Sequence, residues 1–427
     1  MRIAVVCANG GRVGGTESYL GEMVDWLVRL GHDVAMWYEV EAAAKQERVA
    51  PLSSIPQSCV AARGVRGALA DIAAWGPDVI SAHGLYDRRL EWGLLRIAPV
   101  VLRVHNYYGT CISGAKTWMF PRPRPCHRRF GLACVAYYYP RRCGGWSAAT
   151  MASDLVRQWY RRRFVRRCAV VVTNSEHMAR EFIANGVSRD RVCTLPPPGA
   201  HLHAVAAEPE DVVGTAGEYR LLFLGRLVTL KGGDLLLASL PAVRVALGRP
   251  IRVTFAGNGP ARDAWEKQAK RVQSEVDGVT VEFVGWADDE QREALWKTSH
   301  LLVVPSVWPE PFGLVGLEAA RHAIPAAAFD VGGISEWLTD GVNGRLARGR
   351  RPLASHLADA IVGCLRDDSE YRRLRQGALE SLSRFDPVRY AHSLVDIFHR
   401  VAATRTAPPY ADGGPAQTPS CEMSSAR

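Results

Sequence analysis

The sequence predicts an α/β protein built from two doubly wound domains. Its 427 residues exceed the length of about 250–300 residues that one hydrophobic core usually supports. Short apolar runs rich in β-branched residues recur along the chain, and segments with helical spacing of apolar residues separate them. Runs that are apolar throughout are typical of parallel strands covered by helices on both faces. Two such series, one in each half of the chain, predict one parallel sheet per domain.

The first domain is predicted at residues 1–200. A helix follows the first strand, because Tyr19, Met23, Val24 and Leu27 fall on one face at helical spacing. Its predicted strands lie at residues 3–8, 34–38, 78–83, 100–105 and 169–175.

The second domain is predicted at residues 219–385, after a Pro-rich turn and a polar linker at 201–218. A terminal helix at 386–403 is expected to return to the first domain. Residues 404–427 are rich in Pro and Gly and poor in apolar residues, which predicts disorder. The predicted strands of this domain lie at residues 221–225, 251–257, 279–285, 301–306 and 326–329.

The positive charge of the chain is concentrated in one segment. The formal net charge is +10, yet residues 116–167 carry thirteen basic residues against Asp154 alone, which leaves the rest of the chain at −2. A partner attracted by positive charge must therefore meet that segment. With no apolar run of 18 residues and no leader-like start, the sequence predicts a cytoplasmic protein, with peripheral contact at the inner face of the membrane as a further expectation.

A glycine-rich turn at residues 9–17 connects the first predicted strand to the first helix. Gly14 and Gly15 would let the backbone approach an anion at the helix start. The turn is not the GxGxxG of dinucleotide-binding enzymes, and it lacks the P-loop lysine. An ordinary tight turn is the alternative.

Two cations follow the first strand of the second domain. Arg226 and Lys231 flank a glycine-rich helix start at the carboxyl end of that strand. Open α/β sheets bind ligands at this end, and two cations there suit a diphosphate. Solvated surface charges are the alternative.

Two carboxylates lie near the strand at 301–306. Glu310 falls in the loop after it, and Glu318 falls about two turns into an apolar helix that is expected to begin near Phe312. A carboxylate in such a helix needs polar partners, which ligand hydroxyls would supply. The alternative is an ion pair with an arginine such as Arg321.

These residues in this order resemble retaining glycosyltransferases of family 4. Each string is short, but their order and spacing along nearly the whole chain are specific. The family fold consists of two facing Rossmann-like domains of the GT-B type, with the active site in the cleft between them. The strings are Gly14-Gly15-Thr16-Glu17, Val104-His105, Thr173-Asn174-Ser175, Gly225-Arg226, Lys231-Gly232, Gly257-Asn258-Gly259-Pro260, Phe283-Val284-Gly285, Pro305-Ser306, the Glu310 and Glu318 pair, and Gly332-Gly333 with Glu336.

The resemblance implies a role for each candidate residue. Arg226 and Lys231 would hold the donor diphosphate, Glu310 the transferred sugar and Glu318 the ribose. His105 would lie by the reacting sugar. The remaining implied donor contacts are Gly14, Gly15 and the backbone N–H groups of Phe312, Gly313 and Leu314.

The implied activity is transfer of a sugar with retention from a UDP- or GDP-linked donor to a glycan, lipid-linked or small-molecule acceptor. Bacterial polysaccharide or glycoconjugate biosynthesis is the expected setting. No cofactor and no metal are expected, because the chain has no Asp-x-Asp pair and fixed cations suit the departing diphosphate. The alternatives are a nucleotide-sugar 2-epimerase of similar fold and a non-catalytic binder of anionic surfaces. Nucleic acid is not expected as a partner.

The segment 106–167 departs from the family pattern as a Cys- and Arg-rich insertion. Four cysteines lie within it, and either a structural zinc site or free thiols would account for them. The segment ends in a basic, aromatic helix, predicted at 155–167, which suits either an anionic membrane surface or a solvated arginine face with the aromatics in the core. Beside His105, it would shape a site for an anionic or lipid-linked acceptor. The cysteines are Cys111, Cys126, Cys134 and Cys143.

Overall fold

The computed structural model describes residues 1–11, 15–42, 48–49, 55–198, 217–349 and 351–406. The predicted site residue Gly14, most of the predicted linker and residues 407–427 lie outside these ranges. In the first half of the chain the elements are β1 (Arg2–Asn9), α1 (Gly15–Arg29), β2 (Asp33–Val40), β3 (Gln57–Cys59), α2 (Val60–Trp75), β4 (Val79–His83), α3 (Arg88–Leu94), β5 (Val100–Arg103), β6 (Thr117–Trp118), β7 (Arg124–Pro125), α4 (Ala133–Tyr138), α5 (Ala148–Val165), β8 (Val170–Thr173), α6 (Glu176–Ala184) and β9 (Val192–Thr194).

The described residues of the second half form six strands and eight α-helices. They are β10 (Tyr219–Leu224), α7 (Gly233–Leu247), β11 (Ile251–Ala256), α8 (Arg262–Glu275), β12 (Val279–Gly285), α9 (Asp289–Thr298), β13 (Leu301–Val304), α10 (Val315–Arg321), β14 (Ala326–Phe329), α11 (Ile334–Trp337), β15 (Gly344–Ala347), α12 (Ala354–Leu365), α13 (Asp368–Ser381) and α14 (Pro387–Thr406).

The described residues fall into two compact units. The first unit draws on Met1–Lys116, His127–Ala200 and Pro387–Arg427, so α14 belongs to it. The second unit draws on Thr117–Cys126 and His201–Asp386. The short hairpin of β6 and β7, which lies within the predicted insertion, therefore groups with the second unit.

The first unit contains a seven-stranded sheet in the order β3-β2-β1-β4-β5-β8-β9, and every pair in it is parallel. Strand β1 lies near the middle of this sheet, and its residues 3–8 are buried. This explains the unbroken apolar run of the sequence, because both faces of the strand are covered. The stripe of α1, including Tyr19 and Met23, packs in the same core as Tyr390 and Phe398 of α14.

The second unit contains a six-stranded parallel sheet in the order β12-β11-β10-β13-β14-β15. The chain starts in the middle with β10, moves outward to β12, and returns to the other side with β13. Ligands of open α/β sheets bind where the strand order reverses, which here is the gap between the loops after β10 and β13.

Every predicted strand is present in these two parallel sheets, which confirms the predicted fold class. Three edge strands, β3, β9 and β15, and the hairpin of β6 and β7 were not predicted. These five strands have two to four residues each, too short to display a periodic pattern.

Three predicted helix bounds need correction. The helix expected to begin near Phe312 begins at Val315, because Gly313 has a φ of 98°, which no right-handed helix contains. Glu318 therefore lies in the first turn of α10, and not two turns inside it. Helix α14 extends to Thr406, past the predicted end at 403, and α5 begins at Ala148, ahead of the predicted 155.

Among the described helices, none combines the length and the apolar character that crossing a membrane requires.

Candidate active site

In the second unit, the loops after β10 and β11 pack backbone to backbone. A Cβ on Gly257 would lie 2.0 Å from the carbonyl oxygen of Gly225, and one on Gly259 would lie 2.3 Å from that of Leu227. Only glycine permits such an approach. These contacts fix the loop that carries Arg226, whose side chain is exposed and makes no hydrogen bond or ion pair with another described residue.

Lys231 and Glu310 form an ion pair at the carboxyl end of the second sheet. The Lys231 Nζ atom lies 2.6 Å from Oε1 of Glu310, and it also lies 5.4 Å from the ring centroid of Trp308. The Glu310 side chain is only 5% exposed, whereas that of Lys231 is 28% exposed. The structure thus brings together two of the predicted catalytic residues and gives the buried carboxylate a cationic partner.

The loop that carries Glu310 is bonded to the turn that carries Lys231. The carbonyl oxygen of Leu230 accepts hydrogen bonds from Val307 N at 2.9 Å, Trp308 N at 3.1 Å and Ser306 Oγ at 3.2 Å. On the other side of the pair, Gly232 has a φ of 68°, and a Cβ there would lie 1.9 Å from the carbonyl oxygen of Pro305. The two turns therefore hold each other in place.

Glu310 is also fixed through its own backbone. Gly333 N donates a hydrogen bond of 2.7 Å to the Glu310 carbonyl oxygen, and Gly332 forms a parallel bridge with Glu310. Gly332 has a φ of 65°, and a Cβ on it would lie 2.4 Å from Glu310 N. The Gly332-Gly333 pair thus serves to position a carboxylate.

The three residues predicted to contact the donor after Glu310 are Phe312, Gly313 and Leu314. The Phe312 side chain is buried in the core against Phe385, so only its backbone faces the site. Its carbonyl oxygen accepts a hydrogen bond of 2.8 Å from Trp337 Nε1. Within the described residues, the N–H groups of Phe312, Gly313 and Leu314 make no hydrogen bond, as is usual just before a helix.

Glu318 forms an ion pair, but its partner is not the predicted Arg321. Its Oε2 atom lies 2.7 Å from Arg292 of α9, which also contacts Asp289 at 3.2 Å. The alternative raised for Glu318 is therefore present with a different arginine. Sequence spacing favoured Arg321 because it is three residues away on the same helix, whereas Arg292 approaches from a neighbouring helix.

The Lys231 and Glu310 pair lines a small cavity of about 30 Å³ together with Phe223, Val303 and Gly313. That volume suits roughly one water molecule. A larger cavity of about 650 Å³ lies in the first unit, between the amino-terminal ends of β5 and β8 and helix α14. None of the predicted site residues lines the larger cavity, so size alone does not locate the candidate site.

In the first unit, His105 follows the carboxyl end of β5. Its Nε2 atom lies 3.3 Å from Nδ1 of His83, and Nε2 of His83 lies 2.9 Å from Ser81 Oγ. Burial, with a smaller contribution from the Arg103 cation, lowers the pKa of His105 to about 3. His105 is therefore a neutral imidazole at pH 7. Gly15 is the first residue of α1 and is exposed.

A buried arginine lies behind the histidines. Arg103 is 2% exposed, and its guanidinium carbon lies 4.7 Å from the ring centroid of Tyr19 and 5.3 Å from that of Tyr390. The two tyrosine hydroxyl groups share a hydrogen bond, and one arginine nitrogen donates to Leu195 O at 3.0 Å. Helix α14 thus supplies one wall of the environment of His105.

Two buried ion pairs fix the insertion at residues 106–167 to the first unit. Lys116 Nζ lies 2.8 Å from Oε2 of Glu181, and Arg161 Nε lies 2.8 Å from Oε1 of Glu91. Each cation is buried, so these basic residues hold the segment in place and do not contribute to a solvent-facing charge.

The aromatic residues of α5 divide between core and surface. Phe164 is buried, but Trp159 and Tyr160 are exposed, so the alternative that placed all the aromatics in the core is wrong. Arg163 lies 3.5 Å from the ring centroid of Trp159, and Arg88 lies 4.8 Å from that of Tyr160. The surface of α5 therefore combines aromatic rings with cations.

The cysteines of the insertion do not form a metal site in the part of the chain that the structure describes. No group of three or more His, Cys, Asp or Glu side chains there could hold a metal ion. Cys111 is buried, Cys126, Cys134 and Cys143 are partly buried, and none of these four cysteines forms a disulfide.

Sequence reasoning missed Ser81, His83 and Arg103. Ser81 and His83 are polar residues two positions apart in an otherwise apolar strand, which places them on one face of β4. That pattern was available in the sequence. Arg103 and Tyr390 are 287 positions apart, so no local pattern could have joined them.

Two family models match consecutive parts of the chain. Residues 13–198 match Glycosyltransferase Family 4, and residues 218–367 match Glycosyl transferases group 1. Together they account for most of both units. The chain belongs to glycosyltransferase family 4.

Curated relatives of this family 4 chain include two D-inositol 3-phosphate glycosyltransferases. The one from Nocardia farcinica is 30% identical over 53% of this chain and 52% of its own length. The one from Salinispora tropica is 27% identical over 81% of this chain and 69% of its own length. The match thus spans from about half to two thirds of these relatives.

The fold of the family 4 chain is that of GT-B glycosyltransferases. A crystal structure of HepE from Anabaena in complex with UDP aligns with a TM-score of 0.65 and 19% identity, covering 93% of this chain and 100% of HepE. At this identity the likeness establishes the fold.

Proposed function

We propose that the protein is a retaining glycosyltransferase that transfers a sugar from a UDP- or GDP-linked donor. The observation that carries this proposal is the buried Glu310 carboxylate paired with Lys231, beside exposed Arg226, at the carboxyl ends of β10 and β13. A hydroxyl-rich, doubly charged ligand matches this set of groups, since a carboxylate accepts from hydroxyl groups and two cations neutralise a diphosphate. HepE binds UDP, and also UDP-glucose, on the same fold.

Two cations of the second unit, Arg226 and Lys231, would contact the donor diphosphate in different ways. Arg226 is exposed and offers its planar guanidinium to the diphosphate at once. Lys231 already holds Glu310, but its remaining exposure lets the ammonium reach a phosphate oxygen while it keeps the carboxylate oriented. The N–H groups of Phe312, Gly313 and Leu314 would add donors to the sugar and phosphates, and Glu318 would contact the ribose.

The chemistry follows from where charge develops. Cleavage of the bond between the anomeric carbon and the phosphate oxygen leaves the electron pair on the diphosphate and positive charge on the sugar ring. Arg226 and Lys231 stabilise the departing diphosphate, and Glu310 faces the electron-poor sugar. The acceptor hydroxyl oxygen then bonds to the anomeric carbon on the face from which the diphosphate departs, while the departing phosphate takes the hydroxyl proton, so the anomeric configuration is retained. His105, a neutral imidazole, would orient a sugar hydroxyl from the first unit.

The two cations are sufficient in charge to replace a metal ion at the diphosphate. We therefore propose that the reaction needs no divalent metal and no cofactor. Transfer that stops on addition of EDTA and returns with Mg²⁺ or Mn²⁺ would refute this part of the proposal.

The acceptor is proposed to be anionic or lipid-linked. The relatives from Nocardia and Salinispora act on an inositol phosphate by name. In this chain the surface of α5 presents exposed Trp159 and Tyr160 beside Arg163 and Arg88, which suits a phosphorylated head group at a membrane surface. Sedimentation with anionic and with neutral liposomes, at low and at high salt, tests the membrane part. Equal binding to both liposome types would refute it.

The first experiment is a panel of nucleotide-sugars measured by thermal unfolding. A donor at 100 times its dissociation constant stabilises the folded protein by about 2.7 kcal/mol. The stabilising donor is then incubated with candidate acceptors, and released nucleotide and the anomeric configuration of the product are measured by NMR. Retention with nucleotide release supports the proposal. A product epimerised at C2 of the sugar would favour the 2-epimerase alternative, and binding without turnover would favour the non-catalytic one.

A further inference from the structure

The side chains of Ser81, His83 and His105 form one chain of hydrogen bonds in the first unit. Ser81 Oγ lies 2.9 Å from His83 Nε2, and His83 Nδ1 lies 3.3 Å from His105 Nε2. The two imidazole rings are stacked with centroids 5.6 Å apart. Ser81 is 2% exposed and His83 is 1% exposed, so both side chains are buried from bulk solvent. The Nδ1 atom of His105 has no hydrogen-bonding partner among the described residues.

Both imidazoles are neutral, and each therefore carries one N–H proton. Burial lowers the pKa of each histidine, with a smaller contribution from the Arg103 cation. Neutral rings leave two self-consistent arrangements of protons along the chain, one running outward from Ser81 and the other running inward toward it.

The two arrangements differ in what Ser81 does with its proton. In the outward arrangement the Ser81 O–H donates to His83 Nε2, His83 Nδ1–H donates to His105 Nε2, and His105 keeps its proton on Nδ1. In the inward arrangement Ser81 accepts from His83, and the hydroxyl proton is left without an acceptor among the described residues. Each arrangement leaves one donor without a partner among the described residues. In the outward arrangement it is the N–H of half-buried His105, which solvent or a ligand can reach, whereas in the inward arrangement it is the buried Ser81 hydroxyl, where a missing acceptor is costly. The outward arrangement is therefore favoured.

We propose that Ser81 and His83 are positioning residues that hold His105 in the Nδ1–H form. The catalytic consequence of this inference rests on the proposed function. His105 then presents a hydrogen-bond donor to an oxygen of the sugar, and not an acceptor. The stacked contact with His83 and the tilted contact with Tyr19, whose ring centroid lies 5.8 Å from that of His105, fix the plane of this donor.

The test uses the full chain labelled with ¹⁵N-histidine at pH 7. Two-bond ¹⁵N–¹H correlation spectra show which ring nitrogen carries the proton, and the His105→Gln variant identifies the His105 signals. We expect the His105 proton on Nδ1 in the unaltered protein. Ser81→Ala removes the hydroxyl that orders the chain and should give a mixture of the two ring forms, whereas Ser81→Thr keeps the hydroxyl and should keep the Nδ1–H form.

A second pair of variants covers His83. Its replacement in His83→Asn places an amide N–H near the former Nδ1 and should retain the His105 form, while His83→Leu should lose it. A His105 proton on Nε2 in the unaltered protein, or ring forms unchanged in both Ser81→Ala and His83→Leu, would overturn the proposal.

Kinetic measurements distinguish a failure of this inference from a failure of the proposed function. We expect Ser81→Ala to lower kcat by about tenfold, the effect of one misdirected hydrogen bond, and Ser81→Thr to restore it. The donor KM should change less than kcat, because His105 is proposed to act on the sugar and not on the diphosphate. Spectra as expected in a chain without transferase activity would refute the function but support the hydrogen-bond order. Full activity of Ser81→Ala would overturn the catalytic role of that order.

Discussion

The Lys231 ammonium and the Glu310 carboxylate, 79 positions apart in the sequence, lie 2.6 Å apart at the carboxyl end of the second sheet. The pair neutralises a carboxylate that is almost fully buried. A diphosphate bound as we propose would share the ammonium with Glu310. Donor binding and the orientation of Glu310 would then be linked through one side chain.

Glu310→Gln should lower kcat by about 100-fold or more, because it removes the negative charge that we propose faces the sugar in the transition state. The amide oxygen still accepts a hydrogen bond from Lys231, so thermal unfolding should change little. The measurement is initial-rate nucleotide release with saturating donor. The exposed Glu275 at the end of α8 provides the control Glu275→Gln, which should leave kcat unaltered.

Lys231→Met should destabilise the second unit by about 1–3 kcal/mol, because the buried carboxylate loses its cation while part of the site stays open to water. Urea unfolding measures the change. Lys231→Arg keeps the charge and should cost less. In the double variant with Glu310→Gln, much of the loss should disappear, since no unpaired carboxylate remains. Strictly additive losses would contradict the linkage of the two residues.

Arg226→Ala should raise the donor KM by about tenfold or more without altering stability, because the side chain is exposed and we propose that its charge acts on the bound diphosphate. Rates measured over a range of donor concentrations give KM, and thermal unfolding gives the stability. The exposed Arg271 of α8 gives the matched variant Arg271→Ala, for which KM should stay the same. An equal change in both variants would indicate a general charge effect.

Gly232→Ala and Gly248→Ala separate backbone strain from steric contact. Both glycines have nearly the same φ, 68° and 66°, so both alanines carry a conformational cost of about 1–2 kcal/mol. Only at position 232 does the new Cβ meet another atom, the carbonyl oxygen of Pro305. Gly232→Ala should therefore be the more destabilising in urea unfolding, and it alone should impair donor binding. Equal losses of stability in the two variants would mean that the close approach to Pro305 does not add to the cost of the alanine.

Acid should destabilise the second unit through His300. Burial, assisted by the Arg220 and Arg375 cations, lowers the pKa of His300 to about 4. Between pH 6.5 and pH 4 the unfolded chain therefore binds a proton that the folded chain does not, so the free energy of unfolding falls as the pH drops through this range. One such group contributes at most about 1.4 kcal/mol per pH unit.

His300→Asn tests that contribution. Its Oδ1 atom can replace the Nδ1 atom of His300, which accepts from Arg220 N at 3.1 Å, but it does not titrate. Hydrogen exchange of amides in the second sheet, measured from pH 7 to pH 4, should show a smaller loss of protection in the variant. A pH dependence identical to that of the unaltered chain would contradict the effect.

The sequence was sufficient for the two sheets because their central strands include runs that are apolar on both faces, as in residues 3–8 and 301–304. It also placed Arg226, Lys231 and Glu310 at the carboxyl ends of strands, where parallel topology brings loops together. It did not reveal that Lys231 pairs with Glu310, or that Glu318 pairs with Arg292. The partners in these ion pairs depend on which side chains come into contact when the elements pack. The spacing of the residues along the sequence does not contain this information.

Helix α14 also bears on how the chain acquires its structure during synthesis. The first unit begins with β1 at the amino terminus, yet Tyr390 and Phe398 complete its core only after the whole second unit has been translated. At about 5–20 residues per second, this leaves the Tyr19 and Arg103 surface open on the ribosome for about 10 to 40 seconds. In a nascent chain halted before Pro387, the second unit can therefore fold while the core of the first unit still lacks α14.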